Sequence, residues 1–272
     1  FRVSDDYFSP GKLAFNQQLS YMTYDITALL SEGSTNVLGL TLLHGWYDRG
    51  VGYPEIWNPW GDTNGLFGKL EICYEDGTSE VIVTDESFLC YTNGPIRSDD
   101  IYQGEYYDAN YEQPGFDTPD YTPVGWLPAD TTSVDTGYLS LPLVAKKNEP
   151  IVCIKELSPI SVTEPEEGVF VYDFGENIVG TSRIHVTGEP GQVITLRYGE
   201  EINTEQLANK DDTVGTIWTK SLLTAKATDY YVLKGETQGE TFVPEYTFHG
   251  FRYLQITGIN EALPIENVQA LV

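Results

Sequence analysis

The sequence predicts an all-β protein built from antiparallel β-sandwiches. The chain contains 19 Tyr and 5 Trp, which are side chains that favour strands. It also contains 26 Gly and 15 Pro, as expected for short strands joined by many turns. Its apolar runs are short and separated by turn signals, as is typical of an antiparallel sandwich. No amphipathic helical pattern extends beyond about three turns.

Length and composition predict two domains. A chain of 272 residues is long for one domain, and two domains could each bury a core of their own. Residues 114–150 are rich in Pro, Thr, Asp and Gly and show little periodicity, which indicates a connector over the surface. We therefore place the boundary at residues 145–149 and predict domains over residues 1–148 and 149–272.

The first elements of the N-terminal domain are short. Residues 21–24 look extended. Asp25 is expected to cap a short helix over residues 26–30, with Gly33 as its C-terminal stop. The apolar residues 36–43 predict the next strand.

A hairpin is the clearest local prediction. Apolar and polar side chains alternate over residues 66–74, which indicates a half-buried strand. Asp76-Gly77 is a two-residue turn signal, and residues 80–84 form the predicted return strand.

Between the predicted strands 36–43 and 66–74 lies the aromatic loop, residues 44–62, with three of the five Trp residues. Long loops without secondary structure are usually functional or disordered, and disordered segments are poor in aromatic residues. Two interpretations remain open: a loop packed on its own aromatic rings, or an aromatic platform with a polar rim that suits a sugar.

The C-terminal domain is predicted to contain at least six strands, which suits an antiparallel sandwich. A polar insertion over residues 201–225 interrupts them. The runs that predict strands are residues 151–156, 169–174, 181–186, 193–200, 228–233, 241–244 and 252–257.

The formal net charge of −26 argues against a nucleic-acid partner, because such binding relies on neutralising phosphates. No window approaches the roughly 18 apolar residues needed to cross a bilayer, so no membrane partner is expected. Three Cys lie at no metal-like spacing; Cys73 and Cys90 could face each other across neighbouring strands, but buried free thiols are the favoured interpretation. The cellular compartment stays undecided.

Few motifs point to catalysis. There is no nucleophile elbow and no phosphate-binding loop, and His185 and His249 fit structural roles in apolar or aromatic surroundings. Clustered oxygen donors are the ligands that Ca²⁺ prefers. Asp5, Asp6 and the segment 58–62 supply such donors beside the aromatic platform, although acidic loops are more often simply solvated. No residue is assigned a catalytic role.

A set of motifs in constant order resembles bacterial α-L-rhamnosidases of glycoside hydrolase family 78. The two most extensive motifs are residues 172–180, followed by Arg183, and residues 246–253. In the first half the matching segments are residues 4–6 with 10–11, and residues 21–25, 45–47, 84–87, 94–96, 102–105 and 107–109.

The resemblance implies two β-sandwich domains, the rhamnosidase N-terminal domain and a jelly-roll-like domain. In the family a catalytic (α/α)₆ barrel follows, and it performs inverting hydrolysis of terminal α-L-rhamnose. Nothing in this sequence resembles the acidic motif of that barrel. We therefore expect a fragment, truncated at its start, that hydrolyses nothing by itself and has the barrel of its parent chain as a partner.

The resemblance also implies calcium-dependent binding of L-rhamnose or a rhamnosylated glycan. The matching metal ligands are Asp5, Asp6 and Asn58, with Trp57 or Trp60 as the ring that stacks on the sugar. Asp6 stands where Asn is more usual in the family. The alternatives are sandwiches that only support the barrel, or a free-standing carbohydrate-binding module.

Overall fold

The computed structural model describes residues 1–50, 56–133, 136–208 and 212–272. Within them the chain is all-β, as predicted, and its only helices are short 3₁₀ turns, namely η1 Thr27–Leu29, η2 Ala109–Tyr111, η3 Thr136–Ser140, η4 Lys220–Leu222 and η5 Ile265–Asn267. The strands are β1 Leu19–Tyr21, β2 Lys69–Cys73, β3 Ser79–Val83, β4 Leu89–Cys90, β5 Ile96–Asp100, β6 Gly104–Asp108, β7 Leu127–Pro128, β8 Leu143–Ala145, β9 Glu156–Leu157, β10 Ser161–Glu166, β11 Val169–Val186, β12 Val193–Gly199, β13 Thr228–Val232, β14 Glu240–Phe242, β15 His249–Thr257 and β16 Val268–Leu271.

Strand β11 belongs to both layers of the sandwich. Its first part pairs with β10 and β15, and its second part pairs with β14 and β16. The register shifts between Asp173 and Ile178, where Gly175 adopts a φ of +80° and donates its N–H to Asp173 Oδ1 at 2.7 Å. This irregularity redirects the strand, so two predicted strands form one.

Hydrogen-bonded strands follow one another in the order β5-β6-β13-β12-β15-β11-β16-β9; the strands from β5 to β15 form the large sheet with β11, and β16 and β9 belong to the other layer. Most neighbours are antiparallel, as predicted, but β6 pairs with β13 in parallel, as does β1 with β8. Strands β5 and β6 come from the first half of the chain, so strand pairing crosses the predicted boundary at 148/149. The division into residues 1–148 and 149–272 stays a prediction.

Strands β12 and β15 supply the centre of the core. Ile194, Leu196, Leu254 and Ile256 are fully buried and belong to one hydrophobic cluster. Alternation along each strand places them all on one face. Burying such a side chain stabilises the fold by about 1.5–3 kcal/mol, so this face anchors the sandwich.

The predicted hairpin is confirmed as β2 and β3. Its connection is longer than the two-residue turn expected: Tyr74 N donates to Thr78 O at 2.9 Å, and Gly77 has a φ of +85°. Burial alternates along β2, with Leu70 and Ile72 half-buried. Strand β3 is exposed throughout.

Other predictions for the first half need correction. The expected helix is only the 3₁₀ turn η1, preceded by Asp25, whose Oδ1 accepts from Thr27 N at 3.0 Å. Residues 36–43 contain no strand, because no segment among the described residues forms a ladder with them. The predicted buried thiols are wrong, since Cys73, Cys90 and Cys153 are all free and exposed.

In the second half, two strands escaped prediction and one is misplaced. Strand β10 contains a proline and two acidic residues, and β16 is short. Only the end of the predicted strand 151–156 belongs to a strand, β9, while Ile151 forms an isolated bridge with Tyr7. None of the helices in the described parts of the chain is long and apolar enough to span a membrane.

Candidate functional site

Asp6 lies in a network that ties the N-terminal loop to the connector. Its Oδ2 accepts from Lys146 Nζ at 2.5 Å and from Ser9 Oγ at 2.6 Å, and its Oδ1 accepts from Ile151 N at 3.0 Å. Burial alone would raise the pKa of Asp6, but the hydrogen bonds from Lys146, Ser9 and Ile151 lower it on balance. Both oxygens of this carboxylate are therefore engaged, one of them by a cation.

The other predicted ligands differ in environment. Asp5 is exposed, and Asn58 adopts a left-handed φ of +50°, a conformation that Asn tolerates better than most residues. Trp57 is 56% exposed, which leaves much of its ring surface open. Residues 51–55 of the aromatic loop lie outside the described residues.

Trp60 is part of the packing inside the first half. Its ring meets Phe15 edge-on at a centroid distance of 5.9 Å, and its carbonyl oxygen accepts from Tyr138 Oη at 2.7 Å. Tyr138 Oη in turn accepts from Tyr47 Oη at 2.9 Å. This arrangement agrees with a loop that packs on its own aromatic residues around Trp60, and leaves Trp57 as the more accessible ring.

The structure does not bring the five predicted residues together through direct contacts. Within the described residues, neither Asp5 nor Asp6 shares a hydrogen bond or ring contact with Trp57, Asn58 or Trp60. Ca²⁺ takes about 6–8 oxygen ligands, and in this structure the Asp6 carboxylate is engaged by Lys146, which would have to leave it before a cation could bind. The calcium and sugar residues stay a prediction.

An acid–base cluster at the start of the aromatic loop was missed by the sequence analysis. His44 Nδ1 lies 2.8 Å from Asp48 Oδ2, and His44 N donates to Asp99 Oδ2 at 3.0 Å. Arg49 Nε donates to the Asp99 carbonyl oxygen at 3.0 Å. Burial raises the pKa of Asp99 although His44, Gly45 and Arg49 oppose that rise. The i,i+4 spacing of His44 and Asp48 was the available signal.

Trp46 lies at a junction between the two halves of the chain. Its ring contacts Tyr102 at 6.1 Å and Phe248 at 6.4 Å between centroids, and Lys12 Nζ lies 5.2 Å from its ring centroid. Phe8 packs against the same Phe248 at 5.2 Å. Part of the aromatic platform expected from the sequence therefore packs between the two halves of the chain.

A second acidic cluster is buried where β6, β13 and β15 meet. Asp229 accepts from Glu105 N at 2.7 Å and from Thr247 Oγ1 at 3.0 Å, and lies 3.1 Å from His249 Nε2. Burial, reinforced by Asp229, raises the pKa of Glu105 to about 8. His249 also stacks on Tyr198, with ring centroids 4.2 Å apart. The burial, hydrogen bond and ring contact of His249 agree with the predicted structural role.

Comparisons with known proteins agree with this fold. The sequence profile of the α-L-rhamnosidase N-terminal domain matches residues 1–155, and that of the bacterial α-L-rhamnosidase concanavalin-like domain matches residues 163–272. An α-L-rhamnosidase from Streptomyces avermitilis is 38% identical over 94% of this chain and 23% of its own length.

Solved structures give the same result. The Streptomyces avermitilis α-L-rhamnosidase complexed with L-rhamnose superposes with a TM-score of 0.86 at 35% identity, over all of this chain and 25% of that one. The native α-L-rhamnosidase from Aspergillus terreus gives 0.84 at 32% identity, over all of this chain and 30% of that one. The chain thus spans about a quarter of the length of its relatives, and it belongs to the bacterial α-L-rhamnosidase family.

Proposed function

We propose that this chain is the non-catalytic N-terminal region of an α-L-rhamnosidase, which hydrolyses terminal α-L-rhamnose from glycosides. The observation that carries the proposal is the succession of two rhamnosidase β-domain profiles over residues 1–155 and 163–272. The chain positions or recognises the glycan beside the catalytic barrel of the parent protein. The purified chain should release no product from an aryl α-L-rhamnoside, and measurable turnover would refute the non-catalytic role.

We further propose that the first half binds L-rhamnose, with Trp57 as the stacking ring. The exposed ring supports this role, because an aromatic face covers the apolar side of a sugar while polar groups hold the hydroxyls. Calcium would be held by Asp5, Asp6 and Asn58. With Asp6 paired to Lys146, such a site requires Lys146 to leave the carboxylate.

Calorimetric titration with L-rhamnose tests this role, in buffer containing either Ca²⁺ or a chelator. We expect heat of binding that disappears with the chelator, in Asp5→Ala and in Trp57→Ala. Phe67→Ala is the matched control, because Phe67 is also exposed, at 61%, and lies outside the proposed site. Absence of heat in every sample would refute rhamnose binding and leave the non-catalytic assignment intact.

The second candidate function is purely structural support of the catalytic barrel. The Asp6–Lys146 pair and the packing of Trp60 on Phe15 favour it, because both give predicted site residues a role in holding the fold. Support alone predicts that Trp57→Ala in the parent enzyme leaves KM for rhamnosides unchanged. A free-standing carbohydrate-binding module instead predicts glycan binding by this chain without any barrel.

A further inference from the structure

The outer face of the large sheet contains a concave groove of about 390 Å³. Ligand pockets commonly measure about 300–1,000 Å³, so the groove could take one or two sugar rings. Three neighbouring strands form its floor, β13, β12 and β15. It lies far along the sequence from the aromatic loop and shares no residue with it.

Cross-strand register arranges the floor in two rows. Tyr230, Thr195 and Thr257 form the first row, because Thr195 pairs with both of the others. Arg197 pairs with Thr228 and with Gln255 and so forms the second. Residues directly opposite on one face lie about 4.5–5.5 Å apart. The floor is therefore a regular grid of hydroxyl, amide and guanidinium groups.

The groove is cationic in a strongly acidic chain. Arg197 in the floor and Lys226 at the edge bring two positive charges, and none of the described residues that line the groove is acidic. The chain has only 15 basic residues against 41 acidic ones. Elsewhere a carboxylate neutralises many of the bases: Arg2, Lys69, Lys146, Lys155, Arg183, Lys234 and Arg252 all form ion pairs.

Arg197 carries an unmet hydrogen-bonding requirement. Its Nε is buried and has no hydrogen-bond partner in the described parts of the chain. A buried donor without a partner is unfavourable, and an incoming acceptor would satisfy it. Gln255 Oε1 already accepts from Ile217 N at 3.0 Å, so the Gln255 amide is oriented and its NH₂ group is left for a ligand.

The aromatic edge of the groove provides a surface for a sugar ring. Tyr230 stacks on Tyr106 of the neighbouring parallel strand β6, with centroids 5.6 Å apart and planes at 29°. Such stacking holds the Tyr230 ring beside Thr195 and Thr228. Hydroxyl groups, an oriented amide and an aromatic ring in a groove lined by two cations match a polyhydroxylated anion better than an inorganic anion.

We propose that this groove binds a carbohydrate that carries a carboxylate, such as a uronic acid residue of an acidic glycan. The guanidinium of Arg197 receives the carboxylate in charge-assisted hydrogen bonds, and Lys226 adds attraction at the edge. Thr195, Thr228 and Gln255 contact the ring hydroxyls. This site is independent of the rhamnose and calcium residues, so the two proposals stand or fall separately.

Titration with trigalacturonate, followed by calorimetry and amide chemical shifts, tests the proposal. The neutral counterpart galactotriose and acetate serve as comparison ligands. We expect trigalacturonate to bind at low salt and to shift the amides of β12, β13 and β15, while the other two ligands bind at least about tenfold more weakly. Binding should weaken as salt is added, because the attraction is partly ionic.

Variants locate the binding. Arg197→Gln should weaken trigalacturonate binding about tenfold or more, and Lys226→Gln should weaken it less. Lys69→Gln removes the same charge on the exposed hairpin and is the matched control. The exposed Lys226 can be replaced without risk to the fold, and thermal melting checks Arg197→Gln. Unchanged affinity in both groove variants, equal binding of galactotriose or acetate, or no binding at all would overturn the proposal.

Discussion

The carboxylate of Asp6 meets the ammonium of Lys146 across 140 residues of sequence. Only 8% of the Asp6 side chain and 12% of the Lys146 side chain are exposed, so water screens this pair less than a surface pair. The contact joins the N-terminal loop to the segment that follows strand β8. It gives Asp6 a structural role that competes with cation binding.

Lys146→Met should therefore destabilise the first half of the chain. Hydrogen bonds to charged groups contribute about 1.5–3 kcal/mol, and the remaining Asp6 carboxylate would lose its cation. Chemical denaturation measures the loss in free energy of unfolding. Lys69→Met, which breaks the exposed pair with Glu71, is the control and should leave stability almost unchanged, because water screens exposed pairs. Equal losses in the two variants would contradict the structural role.

The same pair predicts a dependence on pH. Because the folded-state pKa of Asp6 is lowered, its contribution is present above the unfolded pKa and is lost as pH falls through the folded value. Asp6→Asn should therefore flatten the acid limb of the stability curve. An acid limb identical to that of the parent chain would contradict this assignment.

Glu105 predicts a pH dependence of opposite sign. Burial, reinforced by Asp229, raises its pKa to about 8, so the folded state holds a proton that the unfolded state has lost. Its contribution is complete below the unfolded pKa of about 4.3 and decreases as pH rises towards about 8. The loss is at most about 1.4 kcal/mol per pH unit.

The variant Glu105→Gln does not titrate. The free energy of unfolding of this variant should therefore fall less between pH 5 and 8 than that of the parent chain. Denaturant titrations at several pH values measure it. Glu86→Gln is the control, because Glu86 is exposed. A Glu105→Gln variant that declines as steeply as the parent chain would show that another group is responsible.

The carboxylate of Glu240 closes the turn before β14. Its oxygens accept from Tyr231 Oη at 2.8 Å and from three successive backbone N–H groups, those of Lys234, Gly235 and Glu236. Burial would raise the pKa of Glu240, but these hydrogen bonds lower it on balance. One side chain thus satisfies four donors.

Glu240→Ala should cost about 3 kcal/mol or more, because several partly buried donors lose their acceptor at about 1–3 kcal/mol each. Thermal or chemical unfolding measures the loss. The exposed Glu261 provides the control Glu261→Ala, for which a change within about 0.5 kcal/mol is expected. A loss below about 1 kcal/mol for Glu240→Ala would contradict the role of the turn.

The three cysteines should react with a thiol reagent in the native protein. Cys73, Cys90 and Cys153 are free and exposed, so modification does not require unfolding. Colorimetric titration of the native chain should count all three thiols on the same timescale as the denatured chain. Thiols that react only after denaturant is added would place those cysteines in the interior.

Regular alternation explains which elements were predictable. The hairpin β2–β3 and strand β12 follow the period-2 pattern, and the structure contains both. Strands β5 and β6 were missed because buried carboxylates, Asp99, Asp100 and Glu105, occupy positions where apolar residues are expected. Residues 36–43 show the converse: their apolar side chains form no ladder, and Leu40 remains 50% exposed.

The surroundings of the candidate site residues were harder to predict than the fold, because their contacts join residues that are far apart in the sequence. Nothing in the local sequence around Asp6 indicates that Lys146 will reach it, and a lone Asp-Asp pair suits a cation equally well. The groove around Arg197 follows from strand register, which pairs residues of β12, β13 and β15 over some sixty positions. Composition alone cannot supply that register.

Strand β11 has a consequence for how the sandwich opens. Residues 170–180 of this one strand pair with β15 in one layer, and residues 181–186 pair with β16 and β14 in the other, so the two layers share a continuous backbone segment. Amide hydrogens in the two layers should therefore exchange with similar free energies of opening, as members of one cooperative unit.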